Sequence, residues 1–117
     1  VLVVDDEETV RKFMGKILEK LGYRVSTCQD GLKALEFFRE HNKEIGLVIL
    51  DMIMPNMDGK TAFLEMKKID PDVRVLIVSG YAMDEAAVEC MRQGALAFLG
   101  KPCQVDDLAD RVAECIS

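Results

Sequence analysis

The sequence predicts an α/β domain built on a parallel five-stranded sheet with helices on both faces. Three observations carry this prediction. Apolar runs suited to strands recur five times, at 1–4, 23–28, 47–50, 73–78 and 96–99. Each is followed by a segment whose apolar residues return at helical spacing. The two kinds of segment are joined by short turns rich in Gly, Pro, Asp and Asn. Regular alternation of strand and helix implies parallel strands with helices packed on either side.

The elements follow in order. Residues 1–4, VLVV, read as a buried strand that runs into Asp5, Asp6, Glu7 and Glu8. Val10, Phe13, Met14, Ile17, Leu18 and Leu21 then mark one face of a helix over about 9–21. Its acidic start suits the positive helix end, and Gly22 suits the position just past the last turn. Helix capping accounts for one or two of those acids, not four in a row. Residues 23–28 form a more polar strand, expected near a sheet edge. Asp30-Gly31 opens a helix with Ala34, Leu35 and Phe38 inward, and Gly46 leads into Leu47, Val48, Ile49 and Leu50. That run is the central strand, apolar enough to be buried on both faces. Asp51 follows it directly, and Pro55, Asn56, Asp58 and Gly59 spell a loop. A helix over about 58–69 carries Ala62, Phe63, Met66 and Ile69 on one side and ends at Asp70-Pro71-Asp72. The strand at 73–78 closes with Ser79-Gly80. The helix over about 84–92 has an apolar stripe of mostly small residues and stops at Gln93-Gly94. After 96–99 come Gly100, Lys101 and Pro102. The last helix shows Val105, Leu108, Ala109, Val112, Ala113 and Ile116 at the spacing of the first.

Composition narrows the function. The 117 residues suit one domain with a real core, half of them apolar and about a third charged. A net charge of −6 argues against direct nucleic-acid binding by this segment. No apolar run approaches the ~20 residues of a membrane span, and no signal peptide is expected. Cys28, Cys90, Cys103 and Cys115 show no CxxC spacing and His41 is the single histidine, so a zinc site is not expected. The cysteines read as small packed or half-exposed side chains in a reduced, cytoplasmic setting. The chain opens inside a strand-like run, which fits a piece of a longer protein.

The chemistry lies at one edge. Parallel strands all end on the same side of the sheet, where open α/β sheets place their sites. Asp5, Asp6, Asp51, Ser79 and Lys101 all fall there. Each alone has a plain explanation, as a strand end or a helix cap. Together they are three carboxylates, a hydroxyl and an ammonium. Three close acids repel one another, and a hard divalent cation such as Mg²⁺ relieves this with oxygen ligands. The set suits phosphoryl transfer, which needs charge neutralisation and in-line positioning. Asp51, in the middle strand, is the candidate acceptor, since carboxylates serve as nucleophiles toward phosphorus.

Four motifs, each after its own strand, make the whole chain resemble a known family. VLVVDDEE at 1–8, LDMIMPNMDG at 50–59, VSG at 78–80 and FLGKP at 98–102 resemble the receiver domain of bacterial two-component response regulators. The resemblance implies one receiver domain over 1–117 with a flavodoxin-like sheet of order 2-1-3-4-5. It implies that Asp51 takes a phosphoryl group from a phosphohistidine on a histidine kinase or phosphotransfer domain. Asp6 would be the principal metal-ligand acid and Asp5 its neighbour, with Asp51 and the backbone carbonyl of Ile53 completing a Mg²⁺ site. Ser79 would be the switch hydroxyl, Lys101 the phosphate-binding lysine and Phe98 the switch aromatic, standing where many members carry Tyr. The Lys101–Pro102 bond would be cis, and the readout would be the surface of the helices at 84–92 and 104–116. Ile53 and Tyr81 fill the two variable positions that guide or block the hydrolytic water. The domain would be a phosphoacceptor switch and not a turnover enzyme, with its output domain or partner outside this chain. SGYA at 79–82 and the KPC turn resemble most closely the receivers of hybrid sensor kinases and related multidomain sensors.

Other readings fit less well. A flavin- or nucleotide-binding domain of the same fold needs a Gly-, Ser- or Thr-rich loop after the first strand to cradle phosphate. Here that loop is Asp5, Asp6, Glu7 and Glu8, which repel phosphate without a metal. A metal-dependent aspartyl phosphatase usually has a second acid two residues after the nucleophile, and Ile53 stands there. A receiver-like domain that only binds partners is at odds with a full set of site residues.

Overall fold

A computed structural model describes residues 1–80 and 82–116; Tyr81 and Ser117, and with Tyr81 one of the two expected tuning positions, lie outside the described residues. Five strands form one sheet: β1 (Leu2–Val4), β2 (Ser26–Cys28), β3 (Val48–Asp51), β4 (Val75–Ser79) and β5 (Ala97–Gly100). Their order is β2-β1-β3-β4-β5 and every pairing is parallel. Five helices connect and follow them: α1 (Glu8–Lys20), α2 (Gly31–His41), α3 (Gly59–Ile69), α4 (Glu85–Arg92) and α5 (Val105–Ile116). This is the flavodoxin-like order expected above.

Side chains alternate across the sheet, as strand geometry requires. Leu2, Val4, Val48, Leu50, Val75 and Ile77 point to one face, where Ala34, Leu35 and Phe38 of α2, Ala62, Phe63 and Met66 of α3 and Cys90 of α4 cover them. Val3, Ile49, Leu76, Val78 and Leu99 point to the other, against Met14 and Leu18 of α1 and Leu108, Val112 and Cys115 of α5. The central strand is wholly buried, as its apolar run demanded.

Helix ends follow their cap chemistry. Asp30, Asp58 and Asp84 each accept the backbone N–H three residues on, starting α2, α3 and α4. Gly22, at φ +97°, closes α1: its N–H reaches Glu19 O at 3.0 Å and the Tyr23 N–H reaches Leu18 O at 3.0 Å. That double bond pattern satisfies carbonyls the helix end would leave open.

Some expectations need correction. β2 spans three residues instead of six, because its ladder partners are the three residues of β1. Phe13 and Leu21 are 41% and 51% exposed, and Val105 is 49% exposed. Phe13 lies about 100° around the helix from Met14 and so flanks the contact stripe. Leu21 and Val105 sit at the outer ends of their helices. Ala113 also faces solvent, and Cys115 takes the inward place instead. A short 3₁₀ turn at Asn42–Glu44 was not anticipated.

Candidate functional site

Asp5 directly follows β1, Asp51 and Ser79 end β3 and β4, and Lys101 directly follows β5. Parallel pairing brings these termini to one edge: Asp51 stands level with Val78, and Ser79 with Gly100. A cleft of ≈ 380 Å³ opens there, lined by Asp6, Glu7, Asp51, Ile53, Ser79, Gly80 and Lys101.

Asp5, Asp51 and Ser79 are buried, whereas Asp6 is exposed at the mouth. One carboxylate oxygen from each of Asp5, Asp6 and Asp51 lies within 4.8 Å of the other two. The Lys101 ammonium reaches in among them, 2.6 Å from Asp5 Oδ2, 3.2 Å from Asp51 Oδ2 and 3.8 Å from Glu7 Oε1. Further contacts fix the frame. Asp5 Oδ1 accepts the Glu7 N–H at 2.9 Å, and Arg11 Nη1 donates to the Asp5 carbonyl at 2.7 Å. The Ile53 N–H points at Asp51 Oδ1 from 3.5 Å.

Electrostatics follow from this crowding. Burial, then the charge of Asp5, push the Asp51 carboxyl up to about 6, and Lys101 and the Ile53 N–H offset only part of that. Burial pulls the Lys101 ammonium down, but its bonds to Asp5 and Asp51 outweigh this and leave it raised. The pocket therefore holds more negative charge than one lysine neutralises.

The donor set also passes a chemical test for a metal. It consists of oxygen donors alone, carries net negative charge and has one exposed member facing the opening. Those are the properties a hard divalent cation selects, in contrast to the Cys and His sets of zinc.

Residues 1–113 match the family model of the response regulator receiver domain. The chain belongs to the response regulator receiver family. Curated relatives agree. The receiver domain is 38% identical over 116 residues to the sensor kinase CckA of Brucella abortus, covering 99% of this chain but 12% of that protein. It is 36% identical over 118 residues to the chemotaxis protein CheY of Bacillus subtilis, covering 100% of this chain and 93% of that one. Among solved structures, it superposes with TM-score 0.92 and 30% identity on a chain of the CheX–CheY–BeF3–Mg²⁺ complex from Borrelia burgdorferi, covering 99% of this chain and 87% of that chain. The receiver domain is a phosphoacceptor of two-component signalling. Neither the flavin- or nucleotide-binding reading nor the phosphatase reading is favoured.

The site residues read from the sequence fall unevenly in this receiver domain. Asp5, Asp6, Asp51, Ser79 and Lys101 meet at one edge, and the Ile53 side chain, 55% exposed, forms part of the rim. Phe98 lies apart from the cleft lining. It is half-buried against the α2–α4 face of the sheet and pairs with Ile77. The Lys101–Pro102 bond is cis, as expected. Glu7 as a neighbour of Lys101 is not legible in the sequence, because an acid at that position suits a helix start equally well. Nor is Arg11, whose contact is with a backbone carbonyl and leaves no mark in residue type. Among the described residues no helix is long and apolar enough to cross a membrane.

Proposed function

We propose that Asp51 accepts a phosphoryl group from a phosphohistidine on a histidine kinase or histidine phosphotransfer domain. One observation carries this reading: the Asp51 carboxylate stands at the end of the central strand, lining the cleft, and the Lys101 ammonium bridges it to a second acid, Asp5. Asp51 Oδ forms a bond to phosphorus as the phosphorus–nitrogen bond breaks, and the imidazole leaves with the electron pair and takes a proton from solvent. With its carboxyl held near 6, Asp51 is mostly ionised and nucleophilic at neutral pH. Lys101 pairs with a phosphoryl oxygen and holds it in line. The Ser79 hydroxyl donates to another, and Phe98 packs inward as Ser79 turns.

Asp5, Asp6, Asp51 and the backbone carbonyl of Ile53 would hold a Mg²⁺ ion. When bound it would neutralise charge on the phosphoryl oxygens. The all-oxygen acidic pocket supports that choice, and so does the likeness to the Borrelia complex, which contains Mg²⁺ together with BeF3.

Residues 1–117 form one receiver domain in this reading, acting in the cytoplasm as a switch whose own chemistry is self-phosphorylation and autodephosphorylation. Its response is a shift of the surface around α4 and α5 toward an output domain or partner outside this chain. The likeness to a sensor kinase, of which the chain spans 12%, supports the receiver of a hybrid kinase.

The test is labelling with acetyl phosphate and Mg²⁺. The domain should gain one acid-stable, hydroxylamine-labile phosphoryl group, and Asp51→Asn should abolish it. A label that persists in Asp51→Asn overturns the assignment.

A further inference from the structure

The loop that follows Asp51 is tied at its apex to the start of α2. Asn56, at φ +67°, is the one non-glycine residue with positive φ among the described residues. Asn tolerates that conformation better than other side chains. The Met57 N–H bonds to the Pro55 carbonyl at 2.7 Å, so the chain reverses tightly around Asn56. The Asn56 side chain then donates from Nδ2 to Asp30 Oδ2 at 2.9 Å. Asp30 is 3% exposed, and its other oxygen accepts the Lys33 N–H at 2.8 Å. One buried carboxylate thus caps a helix and holds a loop from a segment 26 residues away.

Contact is close enough to be specific. A Cβ at Gly31 would lie 2.4 Å from the Met57 carbonyl oxygen, so the loop backbone lies directly on the first residue of α2. At the far end of the loop, a Cβ at Gly59 would lie 2.4 Å from the Asp51 carbonyl oxygen, and the Gly59 N–H bonds to Met52 O at 2.9 Å. The segment from Asp51 to Gly59 is therefore held at both ends and at its apex. Ile53 lies within it.

We infer that Asp30 and Asn56 are positioning residues for the phosphoacceptor site: their hydrogen bond fixes the loop that presents Ile53 beside Asp51. The inference rests on the proposed Mg²⁺ site. Neither residue touches the reacting atoms. Hydrogen bonds to a charged, buried acceptor are short and strong, so the tie holds the loop against thermal motion. Without it the Ile53 backbone is no longer held ready for its ligand.

The experiment measures Mg²⁺ affinity by calorimetry and amide exchange over residues 52–58. Asn56→Gly keeps the turn and loses the tie. Asp30→Ser keeps a helix cap but is too short to reach Asn56. Each should weaken Mg²⁺ binding by about five- to tenfold and speed exchange in the loop. Val112→Ala, buried on the opposite face of the sheet, should lower stability and leave both readouts unchanged. The reciprocal pair Asp30→Asn with Asn56→Asp reverses donor and acceptor and should recover the affinity. Wild-type affinity and exchange in Asn56→Gly or in Asp30→Ser would overturn the inference, as would a reciprocal pair no tighter than the single variants. A wild-type domain that takes up no Mg²⁺ overturns the metal assignment instead, and loop exchange then decides the tie by itself.

Discussion

The Lys101 ammonium sits 2.6 Å from the Asp5 carboxylate, with 13% and 2% of the two side chains exposed. A pair this far out of water is held by its geometry, and removing one member strands the other. Asp51 would be stranded as well, since Lys101 serves both acids.

Lys101→Met should therefore lower metal-free stability by about 3 kcal/mol, read from urea unfolding. Adding Asp5→Asn should recover most of the loss by removing the stranded charge. A Lys101→Met domain as stable as wild type would show that the ammonium offsets nothing in the folded pocket.

Asp51 sets a pH dependence of definite sign. In the folded domain its carboxyl is raised from 3.8 to about 6. Between those values the folded state holds more protons than the unfolded one. Its contribution to stability is thus largest at low pH and falls as pH rises through that window. Without metal, Asp51→Asn should be more stable than wild type by about 1–2 kcal/mol at pH 7.5, a figure discounted for solvent screening. The difference should shrink to nothing near pH 4. Unfolding curves across pH would show it, and a constant gap at every pH would refute it.

Asp6→Ala should separate the proposed metal binding from folding. Asp6 is exposed, unlike Asp5 and Asp51, so its own repulsion within the pocket is weak. Mg²⁺ at ten times its dissociation constant should stabilise the wild type by about 1.4 kcal/mol. Asp6→Ala should lose that increment with little change in metal-free melting. Equal Mg²⁺ shifts in both proteins would remove Asp6 from the ligand set.

If Asp51 carries a phosphoryl group as proposed, Ile53 should bear on how long it lasts. Its side chain lies on the cleft rim and has no polar atom to hold a water in line. Each lost water-positioning contact slows attack by roughly tenfold, at ~1.4 kcal/mol per factor of ten. The expected lifetime is minutes to hours, and Ile53→Asn should shorten it about tenfold. A lifetime of seconds that does not respond to the substitution would exclude this role.

What the sequence disclosed depended on how local each feature is. The strand ends at Asp51, Ser79 and Lys101 were legible because a buried apolar run must stop where polar residues begin. Strand–helix alternation gives parallel strands, whereas the pairing order is implied only by the family resemblance. The depth of each acid was not legible: Asp5 and Asp6 are adjacent and alike, yet strand geometry turns one inward and leaves the other at the surface. The Asn56–Asp30 bond could not be read either, because nothing in either residue type names a partner 26 positions away. Helix stripes overstated burial at Phe13 and Val105, since periodicity gives a direction and not how far the sheet extends beneath it.

The spread of the cleft residues along the chain carries a consequence for synthesis on the ribosome. Asp51 emerges long before Lys101, fifty residues later in the chain. At about 5–20 residues per second, that interval lasts on the order of several seconds. Throughout it the nascent chain bears the proposed acceptor carboxylate without the neighbouring ammonium or the fifth strand. The cleft proposed as the phosphoacceptor site is therefore not assembled until the last strand and Lys101 have been made.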